Sequence, residues 1–133
     1  MYGEPPVLIA LLVCDHVIVE RETNKHSLIG TFNCFRFPRF PATTPSFSVY
    51  ICFTNARGEY DIKLDVINLA LDAPIATATT HLSLKDPLSD VELALRFPHV
   101  NFPHPGRYEF RLYANGHILG QRTVNVLSVE MPQ

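Results

Sequence analysis

Alternation of apolar and polar residues is clearest in the last third of the chain, where Tyr108, Phe110, Leu112 and Ala114 share one phase and Glu109, Arg111 and Tyr113 the other. That is the period of a strand with one face in a core. Asn115-Gly116 follows and supplies both positive-φ positions of a type I′ turn. The chain is therefore predicted to reverse with Ala114 opposite His117 and Leu112 opposite Leu119. Val124 and Val126 are one residue out of phase with Leu119, which predicts a bulge near Gly120-Gln121 that sets Val124 across from Tyr108.

The same period marks most other segments. Val7 to Val13 is a short continuous apolar run introduced by two prolines, which reads as a strand buried on both faces, with a helix as the alternative. Val17 to Arg21 and Ser27 to Phe37 flank the polar tip Glu22-Thr23-Asn24-Lys25 as a hairpin. Phe47, Val49, Ile51 and Phe53, then Tyr60, Ile62, Leu64 and Val66, predict a second hairpin around Asn55-Ala56-Arg57-Gly58, with Gly58 left-handed. Ile75 to Leu84, rich in Thr and Ala, suits an edge strand, and Val91 to Phe97 alternates again. The Phe-Pro steps at Phe37, Phe40, Phe97 and Phe102 mark strand ends, because Pro cannot donate to a ladder. Pro103, Pro105 and Gly106 form a rigid corner before Tyr108, which sits where immunoglobulin-like sandwiches carry a tyrosine whose hydroxyl bonds nearby backbone. About eight short strands without helical periodicity predict an all-β fold. The expected architecture is a single antiparallel β-sandwich over residues 1–133, immunoglobulin-like or related, of about seven to nine strands.

Composition changes this picture little. At 133 residues, 47% hydrophobic and 18% charged, the chain is long enough for one buried core and contains no disordered tract. A net charge of −2 argues against a chain built to neutralise phosphate, so no nucleic-acid partner is expected. Cys14, Cys34 and Cys52 lie in apolar strand-like runs and read as reduced thiols. The run Val7 to Cys14 is too short for a transmembrane helix and lacks the basic flank of a secretory signal, so no membrane is expected and a cytoplasmic location is.

The run Ala10 to Asp15, the segment Lys25 to Phe32 with the Phe-Pro steps after it, and Pro105 to Tyr108 leading to Asn115-Gly116 together resemble an uncharacterised family of small bacterial proteins. The resemblance spans nearly the whole chain. It implies a bacterial origin and a domain that stands alone, and it carries over no catalytic residue.

Candidate chemistry is sparse. The glycines form neither a phosphate-binding loop nor a dinucleotide fingerprint, and no Ser lies in a Gly-x-Ser-x-Gly elbow. Asp15 and His16 are adjacent, and adjacent strand residues point to opposite faces, which separates them as an acid–base dyad unless the chain turns there. Cys14 and His16 could share a face, and His81, His99 and His104 are the other metal-ligand candidates. They lack the spacing of a zinc site, and His99 and His104 read as exposed loop residues. No cofactor is expected. The segment Arg36 to Pro45 is the one contact surface in view, because its prolines keep it extended and Arg36, Phe37, Arg39 and Phe40 interleave charge with aromatic area. The competing reading makes it a crossover between sheets whose Phe37 and Phe40 plug the core while the Arg heads stay wet. The leading expectation is a non-enzymatic module that binds a protein partner. A metal-dependent protein or enzyme using scattered Cys and His, and a subunit that forms homo-oligomers through a sheet edge such as Ile75 to Leu84, are the alternatives.

Overall fold

The computed structural model describes residues 5–86, 88 and 90–129. Among them are eleven strands and no helix. In chain order these are β1 (Val7–Val19), β2 (His26–Phe32), β3 (Cys34–Phe37), β4 (Ala42–Thr43), β5 (Phe47–Thr54) and β6 (Gly58–Asn68). They continue as β7 (Ala73–Leu84), β8 (Val91–Phe97), β9 (Asn101–Phe102), β10 (Gly106–Ala114) and β11 (His117–Ser128). A four-stranded sheet has the order β2-β1-β5-β8, a five-stranded sheet the order β3-β11-β10-β6-β7, and β4 pairs with β9. All pairings are antiparallel except that of β3 with β11.

The two large sheets form a sandwich because each strand presents its apolar phase to the other sheet. Val49 and Ile51 of β5, Leu64 and Val66 of β6, Phe110 and Leu112 of β10, and Val124 of β11 are all fully buried in one cluster. Burying each such side chain contributes roughly 1.5–3 kcal/mol before entropy is counted. Rings bridge the layers: Phe110 lies edge-on to Phe47 at 6.0 Å and to Phe97 at 6.1 Å. Two tyrosines tie chain corners. The Tyr108 hydroxyl donates to the His104 carbonyl at 2.7 Å, as its position predicts, and the Tyr60 hydroxyl bonds both the N–H and the carbonyl of Arg57 at 3.0 Å.

Several local expectations need correction. β1 is not buried on both faces, since Val7 and Ile9 are 53% and 54% exposed. Its first half pairs with β5 and its second half with β2, so most of the strand has one neighbour rather than two. The segments 47–54 and 58–68 are not a hairpin: β5 and β6 lie in different sheets, and Asn55 and Gly58, both at positive φ, turn the chain across the sandwich. Ser27 to Phe37 is likewise two strands in two sheets, divided at Asn33.

In the closing hairpin the Asn115-Gly116 turn, the Ala114–His117 pair and the Tyr108–Val124 pair all form. Leu112 faces Gly120 rather than Leu119, so the bulge comes at Leu119. A Cβ on Gly120 would lie 2.4 Å from the end of the Leu8 side chain of β1, which would have to move to admit it. Phe37, Phe97 and Phe102 end strands, whereas Phe40 lies in the loop between β3 and β4.

The β1–β2 hairpin bends back over the outer face of its own sheet. Val19 pairs with His26 five residues beyond the last β1–β5 pair, Cys14 with Ser48, yet the His26 ring lies 5.8 Å from Tyr50 and 3.5 Å from Glu92. The bend occurs where Asp15 faces Gly30, at φ +70. A Cβ on Gly30 would sit 2.3 Å from the Asp15 carboxylate, so only glycine permits this approach. Cys14 and Cys52, out of phase with the inward Val13 and Ile51, are buried all the same, which the folded-back hairpin explains.

Candidate functional site

The division at Asn33 builds the site. β2 ends in the four-stranded sheet at Phe32, and β3 begins in the five-stranded sheet at Cys34, so the chain crosses the end of the sandwich and leaves a groove beside the crossing. The groove has a volume of about 380 Å³ and is open to solvent. Its floor is aromatic, from Phe32, Phe35, Phe37 and Phe47, and its polar lining includes Asp15, Cys34 and Arg36. The floor is also core: Phe35 is buried, edge-on to Phe32 at 4.9 Å and stacked with Phe37 at 6.3 Å.

Arg36 and Phe37 thus meet at the groove with Asp15, as no local reading of the sequence would bring them. Arg39 and Phe40 do not line it. Arg36 and Arg39 are exposed, while Phe37 and Phe40 are half-buried, pack edge-on to each other at 6.0 Å and cover the end of the core. The segment is therefore the crossover between sheets, leading from β3 through β4 to β5, and Arg36 additionally lines the groove.

β3 is an edge strand, and the direction of its backbone groups is known. The Asn33 carbonyl accepts from Asn125 at 3.0 Å and the Phe37 carbonyl from Val129 at 3.0 Å. Backbone groups alternate sides along a strand, so those of Cys34 and Arg36 point away from β11 toward the open edge. No side-chain hydrogen bond or ion pair joins Asp15, Arg36 or Arg39 to any other group among the described residues.

The three cysteines are free. Burial raises the thiol pKa of Cys14, with the neighbouring Asp15 charge adding to it, and burial likewise raises that of Cys52. Cys34, half-buried, is the thiol that lines the groove. Asp15 and His16 both lie within the continuous strand β1 and are exposed, with no hydrogen bond between them.

The histidines are dispersed. His104 is half-buried rather than exposed. The Oδ1 of Asn68 accepts from Ala70, which turns its Nδ2 to donate to His104 Nε2 at 3.0 Å, and Nδ1 of the same ring donates to the Pro105 carbonyl at 2.8 Å. His81 is exposed on β7 between Asp61 at 2.8 Å and Glu59 at 2.6 Å, and these two bonds, that from Asp61 first, raise its pKa. On the outer face of the other sheet the Tyr50 hydroxyl donates to Glu92, and burial, followed by that bond, raises its pKa. No three His, Cys, Asp or Glu side chains gather as a metal site among the described residues. No helix among them is long and apolar enough to cross a membrane.

Sequence reasoning missed Asp15 and Cys34 as neighbours of Arg36, and it missed Arg122. The last was legible in principle, because Arg122 shares the inward phase of Val124 and Val126.

No curated protein matches the chain in sequence. A family model matches residues 9–127, from β1 to β11 with the whole groove between, and the chain belongs to that family, DUF6941, a family of unknown function.

Proposed function

We propose that this chain is a non-enzymatic binding domain that takes an extended segment of a partner protein along the free edge of β3, with one partner side chain seated in the adjoining groove. The observation that carries this reading is the coincidence of three features at one place. The outward backbone groups of Cys34 and Arg36 offer ladder bonds, the aromatic floor offers an apolar anchor site, and the unpaired Asp15 and Arg36 offer charge on the rim. Strand addition at a sheet edge gains affinity from the backbone and selectivity from such a pocket. The reading favours binding over catalysis because the groove thiol has no histidine beside it in the lining. The sheet order, the parallel β3–β11 pair and the Tyr108 corner support an immunoglobulin-like sandwich as its scaffold.

Selection from a displayed library of random peptides tests this. Enriched peptides should protect the Cys34 and Arg36 amides from hydrogen exchange and slow alkylation of Cys34. Arg36→Pro removes an N–H that does not serve β11, so it should leave the fold intact and weaken binding about tenfold or more. No enrichment, or protection mapped to another edge, overturns the reading.

A second reading, self-association, rests on β7, a twelve-residue strand at the opposite free edge of the five-stranded sheet. Light scattering that finds only monomer at high concentration excludes it.

A further inference from the structure

Arg122 occupies a position that sandwich packing reserves for apolar side chains. It faces Phe110 across the β10–β11 ladder, in the same phase as the buried Val124 and Val126, so its stem enters the space between the sheets. Its Nε is fully inaccessible and has no hydrogen-bond partner. Nor does its guanidinium make any hydrogen bond or ion pair among the described residues. The residue as a whole is half-buried, so water reaches the outer part of the guanidinium, but buried donors are nearly always satisfied and the enclosed Nε is left without a partner, a cost that a hydrophobic residue would not carry.

The side chain lines a cavity of about 280 Å³, open to solvent, between β11 and the β1–β2 pair. Leu12, Val13 and Phe32 form its apolar walls, and Thr31 and Asn33 add polar groups beside the guanidinium. We infer that this cavity is a second binding site, whose ligand is a carboxylate carried on an apolar stem, with the carboxylate on Arg122 and the stem against Leu12 and Phe32. The planar guanidinium matches a carboxylate with two parallel hydrogen bonds. Three apolar walls disfavour a bare, strongly hydrated inorganic anion. This site is separate from the edge of β3 and stands or falls independently of the proposed peptide site.

The carboxylate could belong to a free small acid or to an acidic side chain of another protein, and two probes separate these sources. Sodium hexanoate represents the first and N-acetylglutamic acid α-amide the second, each titrated by amide and guanidinium NMR with sodium phosphate as a third arm. Saturable shifts of the Thr31 and Asn33 amides and of the Arg122 Nε–H are expected with at least one carboxylate, and the tighter of the two identifies the source. Arg122→Met keeps the stem and removes the charge. It should abolish the shifts, or weaken binding about tenfold or more, while raising the Tm of the ligand-free protein by about 2 °C or more.

Three results overturn the assignment: no saturable binding of either carboxylate, binding unchanged by Arg122→Met, or a lowered Tm, which would mean the arginine is structurally satisfied. Phosphate binding as tightly as both carboxylates overturns the apolar-stem requirement. Should Arg122→Met fail to fold, Arg122→Lys replaces the planar fork by a point charge and should weaken carboxylate binding about threefold or more; unchanged affinity then overturns the inference.

Discussion

The two ends of the five-stranded sheet treat charge in opposite ways. Toward β7 the outer face carries paired charges, some of them buried: Glu109 holds Arg111, Asp65 lies 3.7 Å from Lys63 and accepts from Thr77 at 2.8 Å, and Glu59 and Asp61 hold His81. Around β3, the side chains of Arg36, of Arg39 in the loop after it and of Asp15 on the facing sheet have no partner among the described residues, and the Nε of Arg122 is turned inward without one. The two regions also differ in charge: four carboxylates stand with Arg111, Lys63 and His81 in the first, and Asp15 alone stands with three arginines in the second. Cross-strand neighbours within one sheet can satisfy each other at fixed register, whereas the register sets Arg122 opposite Phe110 and Arg36 opposite Leu127, neither of which carries a charge. The contrast distinguishes a charge network that contributes to the fold from charges left available to another molecule.

The largest expected effect tests whether groove and core share one floor. Phe35 is buried against Phe32, Phe37, Phe47 and Phe102, so Phe35→Ala should cost about 3–5 kcal/mol in urea denaturation. A loss below ~1 kcal/mol would show the groove to be a surface feature detached from the core.

The contrast in pairing predicts unequal costs for removing charge. Glu109→Gln should cost roughly 1–3 kcal/mol, because Glu109 is buried and Arg111 would lose its carboxylate. Arg36→Ala and Asp15→Ala should each stay within about 0.5 kcal/mol. Equal costs in the two regions would erase the distinction.

The smallest effect lies in pH. His81 has a raised pKa in the folded chain, so its contribution is fully present below the ordinary histidine value of 6.5 and lost as pH rises through the raised value. Glu59 has a lowered pKa, from its bonds with Ser83 and then His81, so its contribution is present above the ordinary value of 4.5 and lost as pH falls through the lowered one. The cluster should therefore be strongest between pH 4.5 and 6.5. Both side chains are exposed, and the effect is correspondingly slight. An NMR titration placing His81 at or below the ordinary value would contradict it.

Much of the fold was written in local pattern. The phase of Val49 and Ile51, of Leu64 and Val66 and of Phe110 and Leu112 told which side chains are inward. Asn115-Gly116 determined a turn and Pro105-Gly106 before Tyr108 a corner, because backbone conformation at such positions depends on the residues themselves. Arg36 and Phe37 stand out in the sequence for their chemistry, and Phe37 serves the core and the groove together.

What local pattern left open was which sheet each strand joins. Alternation reads the same whether the next strand lies alongside or across the core, so 47–54 and 58–68 looked like a hairpin, and the passage at Asn33 from one sheet to the other left no mark. The meeting of Asp15 with Arg36 follows from that passage and from the bend opposite Gly30. For Arg122 the division is sharpest. Its inward direction is a matter of sequence phase, but the lack of a carboxylate to receive it depends on every chain segment packed around it, and only the tertiary structure decides that.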